Sequence, residues 1–120
     1  MSNSNRKHLV LYGIRNCDTC RKAQVWLKSR NVDYTFHDFR EDGLPEARLK
    51  NWLESDLGPK LLNRRSTTWR HLSEAEQQEA EKEPLPVMLA NPTLIKRPLV
   101  TDGMRLLEVG FSPAHLEKRI

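Results

Sequence analysis

A short apolar run at residues 8–12, closed by Gly13, gives way to helical spacing and then to strict alternation, an order that leaves few folds open. Residues 8–12 read as a buried strand ending at a glycine. After Cys17 the apolar residues Cys20, Ala23, Val25, Trp26 and Leu27 recur near three and four apart, while Arg21, Lys22, Lys28 and Arg30 occupy much of the other face. Asn31 stands where a helix often ends. Residues 34–39, Tyr-Thr-Phe-His-Asp-Phe, alternate with period two and are rich in β-formers. Strand, helix and strand at this spacing make a βαβ unit, which favours a parallel pair.

The remainder divides into a helical middle and a strand-rich end. Pro45 suits a first helical turn, and Ala47, Leu49, Trp52, Leu53 and Leu57 predict one amphipathic helix that stops at Gly58-Pro59. Leu61, Leu62, Thr68, Trp69 and Leu72 carry a shorter irregular stretch. Ser73 and Glu76 have capping-box spacing and open a polar helix, and Pro84 and Pro86 suit the start of another near 85–91. Beyond Pro92, Leu99-Val100 and residues 106–109 flank Thr101-Asp102-Gly103, so an antiparallel hairpin is expected. Ser112-Pro113 supplies the start of a last helix. The order βαβ, helices, ββα predicts an α/β protein with a thioredoxin-like fold: one domain over 8–120, a mixed four-stranded sheet, and a helical insertion at 44–91.

Composition narrows the function classes. A chain of 120 residues with 38% hydrophobic and 30% charged residues fits one soluble globular domain. No apolar run approaches the ~18 residues that a membrane span needs. Residues 1–7 are polar, lack the apolar stretch of a secretory signal, and are expected to form a disordered tail. The formal charge of +4 comes without a basic run, so no nucleic-acid partner is expected, although a local cationic patch is. A cytoplasmic monomer is the expectation.

Cys17 and Cys20 are the two cysteines, too close together to staple a scaffold. Cys17 falls at the helix start, where free backbone N–H groups and the helix dipole favour an anion. Arg15, Arg21 and Lys22 add positive charge nearby and Asp18 opposes it. Such surroundings lower a thiol pKa, and the thiolate is the reactive form. Cys20 lies one turn on, placed either to resolve a mixed disulfide or to fill the core as a small apolar residue. A zinc site needs about four ligands, and the histidines at 8, 37, 71 and 115 offer no second pair, so no metal is expected. In a thioredoxin-like layout Arg97, directly before Pro98, faces the helix start; it either holds an anionic group there or faces solvent, and Pro98 is a candidate cis peptide. The arginine-rich segment 61–70 reads as an anion or glutathione-carboxylate patch, or as a solvated turn.

Taken together, residues 12–19 and 21–23, Leu61-Leu62-Asn63, residues 67–70, residues 95–98 and Gly110-Phe111 resemble the ArsC/Spx family, in its YffB-type branch. The resemblance implies Cys17 as nucleophile and Arg97 beside a cis-proline as the site arginine. Arg15, Asn16, Asn63, Arg64, Arg65 and Pro98 are then expected to contribute to substrate or glutathione binding. Family arsenate reductases use an arginine triad; here Asn63 stands in the place of one member, and Val109-Gly110-Phe111 replaces another. The implied activity is therefore a glutathione-dependent thiol reductase with no bound cofactor, glutathione being a co-substrate. The alternatives are an arsenate reductase and an Spx-like redox-switched regulator that binds the RNA polymerase α subunit.

Overall fold

The computed structural model describes residues 8–120; the expected tail at 1–7 lies outside the described residues. Strand β1 (His8–Gly13) leads into helix α1 (Asp18–Ser29) and strand β2 (Asp33–Asp38). Helices α2 (Glu46–Leu53), α3 (Thr67–His71), α4 (Glu74–Lys82) and α5 (Pro84–Ala90) follow, with 3-10 turns at Gly58–Lys60 and Pro92–Leu94. Strands β3 (Leu99–Thr101) and β4 (Leu106–Val109) and helix α6 (Pro113–Glu117) close the chain. The sheet order is β2-β1-β3-β4, with β1 parallel to β2 and antiparallel to β3, and β3 antiparallel to β4. This is the thioredoxin-like arrangement that the element order predicts. Among the described residues no helix is long and apolar enough to cross a membrane.

β1 is buried on both faces, and its period of two sorts the core. Leu9 and Leu11 point into one cluster with Ala23 and Leu27 of α1, Val100 of β3 and Leu116 of α6. Val10 and Tyr12 point the other way, towards Leu49 and Trp52 of α2, Met88 of α5, and Leu61, Leu94 and Ile95. The helical insertion is therefore the second layer of the fold, because it covers a sheet face that would otherwise expose a large apolar area. Tyr12 meets Trp52 edge-on at 4.8 Å between ring centroids, and the Trp52 Nε1–H donates to the Met104 carbonyl at 3.2 Å.

Local signals account for most boundaries. Asn31 takes φ 57°, the left-handed conformation that ends α1. Ser73 and Glu76 form the reciprocal capping box at the start of α4. Asp102 accepts the N–H groups of Met104 and Arg105 at 3.0 and 2.8 Å, building the β3–β4 turn. One boundary departs from expectation: α2 ends at Leu53, and Leu57 lies beyond it. The reason is a close approach, since a Cβ on Gly58 would sit 2.0 Å from the Leu53 carbonyl oxygen. The chain folds back on itself there, and Gly58-Pro59 begin a 3-10 turn instead of merely closing a helix.

Gly58→Ala must push this backbone apart, and urea unfolding is expected to show a loss of about 1–3 kcal/mol, the usual cost of overpacking. An unchanged midpoint would contradict this packing.

Candidate functional site

The site is built where β1 runs out. Gly13 and Ile14 are buried, Arg15 and Asn16 are exposed, and Cys17 is half-buried as the N-cap of α1, with φ −138° and ψ 122°. Its carbonyl accepts the first helical bond, from Arg21 N–H at 3.0 Å. This conformation leaves the sulfur facing the unsatisfied N–H groups of the first turn. Cys20 is fully buried beneath it. A Cβ on Gly13 would sit 2.5 Å from the Cys20 sulfur, so glycine is what lets β1 pass this close. Both cysteines are free thiols.

The two thiols have opposite acidities. Partial burial pushes the Cys17 pKa up, but hydrogen bonds from the Cys20 N–H and thiol, and a hydrogen bond and charge from Arg97, bring it below the ordinary cysteine value. Burial pushes Cys20 up to about 12; the Ile14 N–H opposes this, while the neighbouring Cys17 charge adds to it. Of the pair, Cys17 is thus the more acidic thiol, and Cys20 is the one that keeps its proton and donates to it.

Arg97 is positioned by its own loop. Its Nη1 donates to the carbonyls of Thr93 and Ile95 at 3.2 and 3.0 Å, and its Nε is buried with no acceptor. The Arg97–Pro98 peptide is cis, and Pro98 is buried. The insertion braces this loop from the side: Leu62 bridges Ile95, Asn63 N–H donates to the Leu94 carbonyl at 2.7 Å, and Lys96 N–H donates to the Leu61 carbonyl at 2.8 Å. Thr68 and Thr93 share a 2.5 Å hydroxyl hydrogen bond that ties α3 to the same loop.

The other expected binding residues are arranged as follows. Asn63 lies beside the Arg97 loop, where its Oδ1 accepts the Arg65 N–H at 3.2 Å. Arg64 turns away to form a paired contact with Glu81 at 2.6 and 2.7 Å. Arg65 is exposed, and its carbonyl accepts from Arg70 at 3.3 Å. Arg15 reaches Glu41 at 3.4 Å, and Asn16 remains exposed before Cys17.

Sequence reasoning missed Asp38. It is only 2% exposed, and its carboxylate accepts N–H groups from Arg15 at 2.6 Å, Arg40 at 2.7 Å and Glu41 at 3.0 Å. Phe39 N–H also donates to the Gly13 carbonyl at 2.8 Å, so the end of β2 fixes the loop that carries Cys17. The available signal was an Asp at the end of a strand before Arg40-Glu41-Asp42, a pattern of side-chain-to-backbone turn bonding.

A thioredoxin-like fold whose first helix begins at an acidified cysteine, opposite an arginine before a cis-proline, defines the class of protein to which this chain belongs. More specifically, this chain belongs to the ArsC family, which it matches over residues 12–119. It is 42% identical to a protein of Haemophilus influenzae, over 87% of this chain and 91% of that one. It is 30% identical to the regulatory protein MgsR of Bacillus subtilis, over 93% and 90% of the two chains. Among solved structures, it is similar to a YffB protein with a TM-score of 0.80 and 41% identity, covering 92% and 96% of the two chains. It is also similar to an arsenate reductase (ArsC) related protein from Brucella melitensis, with a TM-score of 0.73 and 39% identity, covering 92% of each. The relatives thus include both arsenate-reductase-related proteins and regulators.

Asp38 makes a pH prediction. Burial raises its pKa, but the three N–H bonds and the Arg15 charge outweigh that and lower it. A carboxylate depressed on folding contributes stability above its unfolded pKa of about 3.9 and loses it as pH falls through the lower folded value. Asp38→Asn, which sets an amide N–H against backbone donors, is expected to lose about 1–3 kcal/mol at pH 7. Its stability should also fall less steeply below about pH 4 than that of the wild type. Parallel acid limbs in urea titrations of the two proteins would contradict this role.

Proposed function

We propose that this chain is a thiol-disulfide reductase that uses Cys17 as nucleophile and glutathione as co-substrate. The observation that supports it best is the acidified Cys17 at the start of α1, flanked by a thiol donor, Cys20, and a guanidinium, Arg97. The Cys17 thiolate attacks the glutathione sulfur of a mixed disulfide. The old S–S bond breaks, the partner leaves as a thiolate that takes a proton from water, and a Cys17–glutathione disulfide forms. The thiolate of a second glutathione then attacks the bound glutathione sulfur, which releases glutathione disulfide and regenerates the Cys17 thiolate. One disulfide is reduced and one glutathione disulfide is made. Arg97 holds a carboxylate of the incoming molecule, since its guanidinium is the cation placed against the Cys17 sulfur. Cys20 serves chiefly as a hydrogen-bond donor, because a buried thiol with a pKa near 12 is a poor attacker at neutral pH. A glutathione-driven cycle places the protein in the reducing cytoplasm.

Arsenate reduction fits these residues less well. A dianionic oxyanion calls for several cations around the sulfur, whereas Arg64 is held by Glu81, Arg15 by Glu41, and Asn63 carries no charge. A redox-switched regulator is the second reading, favoured by the adjacent free thiols and by the likeness to MgsR.

Turnover of a glutathione mixed disulfide separates these readings. Cys17→Ser is expected to reduce it to background, and Cys20→Ser to keep it within about tenfold of wild type, since glutathione resolves the intermediate. Arsenate with glutathione should give little turnover. Full activity in Cys17→Ser would overturn the enzyme reading. Capture of a partner protein by the oxidised form alone, lost in Cys20→Ser, would favour the switch.

A further inference from the structure

A shallow groove along the outer side of α1 takes no part in the chemistry above. Val25 and Trp26 line it on the α1 side, and Phe111, in the segment after β4, and Pro113, at the start of α6, line it on the other. Val25 is 66% exposed in the middle of a helix face whose other exposed residues are charged or polar. A β-branched residue there weakens the helix slightly and gains nothing from burial, so its fold-level contribution is unfavourable. Trp26 and Phe111 meet edge-on at 6.2 Å and extend the apolar strip beside it.

One end of the groove lies beside the Cys17 site. It begins at Asp18 and Arg21, in the first turn after Cys17, and Gly110 N–H, next to Phe111, donates to the Pro98 carbonyl at 2.8 Å. From there to Ser29 the helix rises about 16 Å, room for roughly five extended residues. That is longer than a tripeptide needs when its sulfur sits at Cys17. The charges along it are uneven. Arg21 pairs with Asp18, and Arg30 pairs with Glu117 while lying 5.1 Å over the Trp26 ring. Lys22 lines the groove, and Lys28 stands exposed three residues beyond Val25 on the same helix, which leaves this face positive.

We propose that this groove seats an acidic polypeptide segment with an apolar anchor, carried by the protein whose disulfide Cys17 reduces. The substrate class is then a protein–glutathione mixed disulfide on an acidic, apolar surface, and this rests on the reductase reading. The apolar anchor packs on Val25, Trp26 and Phe111, and the acidic residues meet Lys22 and Lys28. Cys17 attacks the glutathione sulfur, and the seated protein leaves as its thiolate, as in the cycle above.

The test uses fluorescein-labelled peptides with Ser in place of Cys, so that docking is read without chemistry. One peptide is acidic with a single Phe, a second has Lys for each Glu, and a third is acidic without Phe. Fluorescence anisotropy with the full chain should show the first binding about tenfold more tightly than either other, with loss of binding as salt rises. Val25→Glu and Lys28→Glu should each weaken it by about tenfold or less, Val25→Glu more, while small mixed-disulfide turnover stays at the wild-type rate. No preference among the peptides, or wild-type binding by Val25→Glu, would overturn the proposal. A wild-type protein inactive on small mixed disulfides would instead overturn the reductase reading, and the peptide titration would still report on the groove.

Discussion

β1 is the strand on which both layers and the site depend. Its alternate residues bind it to α1, β3 and α6 on one side and to the insertion on the other. Burying a strand on both faces leaves it little freedom to slip, because a one-residue shift would send Leu9 and Leu11 to the wrong side. The fixed register carries Gly13 to the point where it meets the Cys20 sulfur, and thus sets where α1 begins. The position of Cys17 follows from core packing several residues away.

What happens at that thiol is a balance of opposed effects. Burial alone would keep Cys17 protonated; the N–H and thiol of Cys20 and the guanidinium of Arg97 reverse this. Neither contributor is free to move. Cys20 is locked under β1, and Arg97 is held through the carbonyls of Thr93 and Ile95 in a loop braced by Leu62 and Asn63. Groups fixed before substrate arrives need no reorganisation when charge develops. The insertion therefore does two jobs, covering the sheet and stiffening the loop opposite Cys17.

The parts legible in the sequence were those decided locally. Periodicity marked β1, α1 and β2, Ser73 and Glu76 marked the start of α4, and the helical spacing that begins after Cys17 placed it at a helix start. The parts that were not legible depend on residues far apart in the chain. The early end of α2 comes from the fold-back of Gly58 on Leu53, which spacing alone does not reveal. Arg64 looked available for an anion until its partner, Glu81, appeared from another helix. Asp38 read as one more polar residue in an alternating strand, and its importance lies in backbone N–H groups that a sequence does not display. Arg97 was visible as a candidate, whereas the two carbonyls that aim it were not.

The central claim is that fixed neighbours, Arg97 among them, make Cys17 the thiolate of the pair. Its most direct test is the pH dependence of iodoacetamide alkylation, resolved by mass spectrometry into Cys17 and Cys20, in the wild type and in Arg97→Gln. The account predicts a Cys17 midpoint below the free-cysteine value of about 8.5, a Cys20 that barely reacts in that range, and an upward shift of Cys17 in the variant. A Cys17 midpoint at or above that value, or one indifferent to Arg97, would contradict it.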